Sequence, residues 1–182
     1  VTLVKGSQHN FKITTAEDLN VAKTLLQNSP QHVRTGNGFD VHAFDNIPAT
    51  SIRLGGIDIP FDKALKGHSD ADVALHTVTD ALLGAIGAGD IGDHFPPADD
   101  KWKGKDSAHF LAHAAHLIRE QRGEIGNIDL TIICEAPKLS QHKHAIKQRI
   151  ANILDIPADM INVKATTTEQ LGFTGRREGI AA

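Results

Sequence analysis

The sequence predicts an α+β fold: a mixed β-sheet with helices packed on one face. Three observations carry this prediction. Short extended stretches at residues 37–44, 51–54 and 127–134 are mixed with segments of helical period. "SIRL" and "IDIPF" are joined by "GG" at Gly55 and Gly56, the turn chemistry of a hairpin. Across the 182 residues, 40% are hydrophobic and 23% charged, a balance that supports a packed core and excludes disordered and fibrous classes.

The elements follow in order. Residues 1–27 read as an extended piece and then a helix, in which Thr15 and Asp18 suit a capping box and Leu19, Ala22, Leu25 and Leu26 share one face. "NSPQHVRTG" (28–36) has turn residues and no apolar period, so it reads as a linker between a short N-terminal piece and a main domain at 37–182. In that domain the extended stretches 37–44 and 51–54 and "IDIPF" precede a helix over 69–86, opened by Ser69 and stopped by Gly87 and Gly89. A second helix spans 107–121, where Phe110, Leu111, Ala114, Leu117 and Ile118 repeat at helical spacing. A strand at 127–134, a helix at 141–154 and a strand at 162–168 follow, and "EGIAA" reads as the start of a last strand. Neither an internal repeat nor a low-complexity tract is visible.

Charge and cysteine content narrow the function. A net charge of −3 provides no broad cationic field for nucleic acid or anionic membrane, so a phosphate ligand must be held by local chemistry. Apolar runs fall short of the roughly 18 residues of a membrane span, and the first thirty residues lack a signal-peptide pattern, which leads us to expect a soluble, cytoplasmic protein. The single cysteine, Cys134, excludes an internal disulfide framework and a multi-cysteine zinc site, and it reads as a small buried strand residue. Eleven histidines against no tyrosine direct attention to metal or acid–base chemistry.

In "GFDVHAF", Asp40 and His42 project to one face of a strand while Phe39 and Val41 point to the other. "GHSDADVALH" places Asp72 and His76 four residues apart on a helix face, with His68 just before it. Two histidines and a carboxylate form a zinc set with an open fourth position. Asp70 and Asp72 suit either outer partners that fix an imidazole tautomer or favourable charges in a first helical turn. The far end, "VKATTTEQLGFTGRREGIAA", offers the hydroxyls of Thr166, Thr167 and Thr168, the carboxylate of Glu169, and a loop with Gly172, Gly175 and Arg176. Hydroxyls, loop N–H groups and an arginine are what a diphosphate needs, although a Thr-rich edge strand with a glycine turn would look the same. His109, His113, His116, His142 and His144 read as solvated.

"GFDVHAF", "GHSDADVALH", "GDIG", "APKL" and "VKATTTEQLGFTGRREGIA" occur in that order across residues 34–182, and together they resemble the 2-C-methyl-D-erythritol 2,4-cyclodiphosphate synthase family of the bacterial non-mevalonate isoprenoid pathway. The resemblance implies a homotrimer with active sites between adjacent subunits, a zinc ion (Zn2+) and a second divalent cation (Mg2+ or Mn2+). It also implies conversion of 4-diphosphocytidyl-2-C-methyl-D-erythritol 2-phosphate to the cyclic diphosphate and CMP, and a trimer channel able to hold an isoprenoid diphosphate. By position, Asp40, His42 and His76 become zinc ligands and Glu169 a ligand of the second metal. His68 and Thr167 stabilise the transition state, and Ser69 and Val41 contact the substrate. Asp90, Ile91, Gly92, Phe95 and Asp99 line its pocket on one side. Ala136, Pro137, Lys138 and Leu139 line it on the other, and Thr166, Thr168, Phe173 and Arg176 stand by the phosphates. Pro97 departs from the aspartate common there in bacterial relatives.

"VKGSQHNFKITTAEDLNVAKTLL" resembles the C-terminal tail of 2-C-methyl-D-erythritol 4-phosphate cytidylyltransferase, with Lys12 at the position of a lysine that holds the methylerythritol phosphate. The chain is thus expected to be the cyclising part of a bifunctional fusion, without cytidylyltransferase activity of its own. Two other classes fit parts of the pattern: a zinc hydrolase, for which no H-E-x-x-H base occurs, and a non-catalytic module that retains a diphosphate pocket.

Overall fold

The computed structural model describes residues 12–27 and 32–182, and the chain divides into two compact units, residues 1–33 and 34–182. In the first unit, helix α1 (Ala16–Gln27) begins at the capping box read from sequence. Asp18 N donates to Thr15 Oγ1 at 3.1 Å and Thr15 N donates back to Asp18 Oδ2 at 2.8 Å. The extended piece before residue 12 and part of the linker, residues 28–31, lie outside the described residues.

The second unit is α+β. Its strands are β1 (Val41–Pro48), β2 (Ser51–Leu54), β3 (Ile57–Pro60), β4 (Lys63–Leu65), β5 (Ile128–Ile133), β6 (Ile161–Thr166) and β7 (Gly179–Ala181). The main sheet runs β4-β1-β7-β5-β6, with β5 and β6 parallel and the other pairs antiparallel. β2 and β3 form a separate hairpin whose two-residue turn sets Gly55 and Gly56 at φ 64° and 75°, a conformation glycine adopts without a Cβ clash. The helices are α2 (Val73–Ala85), α3 (Ile91–His94), α4 (Ala108–Glu120), α5 (Lys143–Leu154) and α6 (Gly172–Gly175).

Alternation decides what the sheet buries. Phe44 of β1, Leu130 and Ile132 of β5, Ile161 and Val163 of β6 and Ile180 of β7 join one core with Leu75, Leu83, Leu111, Ile146 and Ile150 of α2, α4 and α5. The intervening residues face away from this core: Val41, Asp129, Asn162 and Lys164 are exposed, and Thr131 is half-buried. Cys134 is buried, and burial, with help from the Glu135 charge, pushes its thiol up to about 11, consistent with an inert core residue.

Several boundaries differ from expectation. α2 starts at Val73 because Asp72, not Ser69, is its cap: the Asp72 carboxylate accepts from Leu75 N at 3.1 Å and also from Gly55 N and Gly56 N at 2.8 and 2.6 Å. This pins the hairpin turn to the helix start. Ser69 and Asp70 instead lie in a loop whose Ala71 has φ 57°, a conformation incompatible with a helix. β1 extends to Pro48, and β4, three residues long, carries no alternation that a sequence reading could detect. β7 sits inside the sheet, between β1 and β5.

Candidate active site

Asp40 precedes β1, His42 lies within it, and His76 projects from the first turns of α2. The chain before β1 runs directly over α2: a Cβ at Gly38 would fall 2.0 Å from the Thr77 carbonyl oxygen, so only glycine permits the approach that brings Asp40 to His76. Asp40 Oδ2, His42 Nε2 and His76 Nδ1 form a triangle with every side 3.1 Å.

The outer partners of the two rings fix what faces inward. His42 Nδ1 donates to the Lys66 carbonyl oxygen at 2.6 Å, which leaves Nε2 without a proton in the neutral ring. Ser107 N donates to Asp70 Oδ2 at 3.0 Å, and the Ser107 hydroxyl donates to Asp70 Oδ1. With its proton committed to Asp70, Ser107 Oγ accepts from His76 Nε2 at 2.8 Å, and the Ser69 hydroxyl lies 3.1 Å from the same nitrogen. His76 therefore presents a bare Nδ1. In these neutral tautomers three lone pairs converge, an arrangement that either a shared proton or a metal cation satisfies. Its size suits an ion with bonds of about 2.0–2.2 Å to nitrogen and oxygen, and two imidazoles with one carboxylate match zinc-type preferences.

Electrostatics agree. Burial disfavours the Asp40 carboxylate, but hydrogen bonds from His42 and His76 and their positive charge outweigh it and hold the carboxyl well below the usual range. Burial likewise opposes a charged His42, yet its hydrogen bond and attraction to Asp40 raise it above its ordinary value. The protein thus favours positive charge at this point. Arg53 braces the outer layer, its guanidinium 3.9 Å from Asp70 and 3.3 Å from both Asp58 and Asp106.

Sequence reasoning anticipated Asp70 as an outer partner but missed Ser107, which carries the contact; the lone signal was its place at a helix start. Asp72 has no contact with either ring, because its three backbone donors hold it at the α2 cap. Ser107→Ala leaves His76 Nε2 without its nearest acceptor and frees the ring to adopt the other tautomer. Affinity of the triangle for an added divalent cation is expected to fall about 10- to 100-fold, measured by competition with a chromophoric chelator, with the melting temperature nearly unchanged.

A second group of candidate residues lies where β6 ends. Register places Val41, Ala181, Ile133 and Thr166 in one row across β1, β7, β5 and β6. Three strand spacings, about 14 Å laterally, separate β1 from β6 along this row. A cleft of about 200 Å³ opens there, lined by Pro137, Lys138, Leu139, Lys143, Thr166 and Thr167 among others. Thr167 Oγ1 donates to Glu169 Oε1 at 2.8 Å. The strand ends at Thr166, so Thr167 and Thr168 are loop residues. Thr168 turns inward, bonding the Leu171 carbonyl and the Thr174 hydroxyl. Arg176 makes a two-pronged pair with Glu178, and Phe173 is exposed beside it.

The remaining candidates lie around α3. Asp90 caps it in a capping box with Asp93, and Asp80 of α2 accepts from Ile91 N at 2.8 Å, holding the Asp90–Ile91–Gly92 backbone in place. Phe95 turns its ring into a cluster with Trp102, Phe110 and His113, and Asp99 is paired with Lys101. His113 is half-buried and bonded to His94 at 3.2 Å rather than solvated, because α3 folds over it. His68 is exposed. A larger cavity, about 480 Å³, lies elsewhere, between the end of α4 and the start of β6 around Arg119, Arg122 and Met160, and none of the candidate site residues lines it.

Fold and site define an α+β domain with a triangle of side chains that could hold a cation and a threonine-lined cleft beyond the end of β6. The chain belongs to the YgbB family, whose model matches residues 33–182. It is 52% identical over 185 residues to a bifunctional enzyme IspD/IspF of Mesorhizobium japonicum, an alignment covering all of this chain and 45% of the relative. The chain thus spans about half the length of the curated relatives it matches. Among solved structures, the bifunctional IspDF of Campylobacter jejuni is 44% identical with a TM-score of 0.76, covering 98% of this chain and 47% of that one. A 2C-methyl-D-erythritol-2,4-cyclodiphosphate synthase in its CDP-bound form is 32% identical with a TM-score of 0.73, covering 81% of this chain and 95% of that one.

Proposed function

We propose that this chain converts 4-diphosphocytidyl-2-C-methyl-D-erythritol 2-phosphate to 2-C-methyl-D-erythritol 2,4-cyclodiphosphate and CMP, within isoprenoid biosynthesis. Family membership supports the reading, and the ligand triangle of Asp40, His42 and His76 carries it within this chain. An oxygen of the substrate's own 2-phosphate attacks the β-phosphorus; the bond from that phosphorus to the bridging oxygen breaks, and CMP leaves with the electron pair. No water and no protein nucleophile take part, which accords with Cys134 being buried with a raised thiol.

The protein's task is orientation and charge neutralisation. Zinc held by Asp40, His42 and His76, with a second divalent cation at Glu169, would supply Lewis-acid polarisation of the diphosphate. Thr167 donates its hydroxyl to a phosphoryl oxygen, His68 stands exposed in the loop before α2, and Lys138, Leu139 and their neighbours receive the cytidine. In one chain the triangle on β1 and the Thr167 cleft beyond β6 stand three strand spacings apart, about 14 Å laterally. A homotrimer that sets the triangle of one subunit against the cleft of the next would complete three sites. The exposed Phe39 and Val41 at the start of β1 suit burial in such an assembly, and an isoprenoid diphosphate fits a channel enclosed by it. Residues 1–27 are, in this proposal, the tail of a cytidylyltransferase domain, and the protein acts in the bacterial cytoplasm. Among the described residues no helix is long and apolar enough to cross a membrane.

Incubation with the cytidyl substrate and Mg2+ tests the reading. Stoichiometric CMP and a cyclic diphosphate seen by phosphorus NMR are expected. CMP with an acyclic bisphosphate instead of the cyclic diphosphate would favour the hydrolase, and no turnover at all a binding module.

A further inference from the structure

The loop that carries Thr167 and Glu169 contains two consecutive non-glycine residues in the left-handed region, Glu169 at φ 52° and Gln170 at φ 64°. L-residues stay there only where their surroundings hold them. Successive backbone N–H groups in such turns form a concavity that attracts an anion. Here an internal anion fills it. Glu135, at the end of β5, accepts through the single oxygen Oε1 from Thr168 N and from Gln170 N, each at 3.2 Å. Behind the turn, a Cβ at Gly175 would lie 2.1 Å from the Gln170 carbonyl carbon, so the chain backs the loop as closely as glycine allows. The Thr168 hydroxyl ties the same loop to Leu171 and Thr174.

We propose that Glu135 is a positioning residue that occupies this anion-binding turn and so sets the directions of Thr167 and Glu169. The N–H groups of Thr168 and Gln170 serve the protein's own carboxylate and are withheld from the diphosphate, leaving phosphate recognition to the Thr167 hydroxyl and the cations. The kinetic part of this inference rests on the cyclisation reading; the structural part does not. Because one oxygen receives both donors, a glutamine can replace the glutamate and an alanine cannot.

The test compares the intact wild-type chain with Glu135→Ala and Glu135→Gln by amide hydrogen exchange and by steady-state kinetics on the cytidyl substrate. In the alanine variant, exchange at Thr168 and Gln170 is expected to rise at least about tenfold, while amides of β5 and β6 keep their protection and report an intact fold. kcat is expected to fall at least about tenfold with KM within about twofold, and Glu135→Gln to recover most of both losses. Unchanged exchange at the two amides in Glu135→Ala would overturn the proposal. So would lost protection with undiminished kcat, or a lowered KM, which would mean that the freed N–H groups bind the diphosphate. If the wild-type chain releases no CMP, the cyclisation reading fails, and the exchange rates alone decide whether Glu135 holds the turn.

Discussion

Asp40→Ala and His76→Ala are each expected to abolish bound zinc and to lower CMP release by at least about a thousandfold, because a site reduced to two protein ligands no longer holds a tetrahedral ion in place. The physical basis is the 3.1 Å triangle, to which the start of β1 supplies two ligand atoms and α2 the third. Removing Asp40 also takes away the negative charge that raises His42, leaving two imidazoles facing one another. The chain should still fold and assemble, since neither side chain belongs to the apolar core. Metal analysis after dialysis, paired with a sedimentation measurement, checks both halves. Full zinc occupancy in either variant would remove that residue from the ligand set. Zinc competes with a proton at His42, so affinity should weaken as pH falls through that residue's raised value.

Thr167→Val is expected to lower kcat by about 2–4 kcal/mol of transition-state stabilisation, roughly 30- to 1000-fold, with KM little changed. Valine retains the shape and β-branching of threonine and deletes the one hydroxyl. In the structure this hydroxyl donates to Glu169, and in the proposed reaction it turns to a phosphoryl oxygen as charge moves towards CMP. A donor that strengthens as charge develops acts on kcat, whereas one that merely grips the substrate acts on KM. Single-turnover and steady-state rates on the same preparation separate the two. A variant with full kcat and raised KM would reassign Thr167 to ground-state binding.

The parts of the site legible beforehand are those that local periodicity encodes. Alternation put Asp40 and His42 on one face of an extended segment, and the structure keeps them there. Helical spacing put His76 within the helix that followed, and the hairpin between Ile52 and Ile59 was announced by its paired glycines. The α+β class itself followed from the spacing of extended and helical segments, a property of neighbours along the chain.

Tertiary structure alone decided what sequence neighbours cannot encode. Ser107 reaches His76 and Asp70 from 31 and 37 residues away, and the tautomer of His76 depends on that contact. Asp72 displaced Ser69 as the helix cap because the Gly55–Gly56 turn, brought alongside by packing, supplied two more donors to its carboxylate. β7 became an interior strand because its apolar residues completed the core between β1 and β5, and its register then set the separation of the metal triangle from the Thr167 cleft. Side-chain direction is a local consequence of backbone period and can be read from the sequence by itself. Which side chains meet depends on how the sheet and helices close on a shared core, and that is settled only when the whole domain packs.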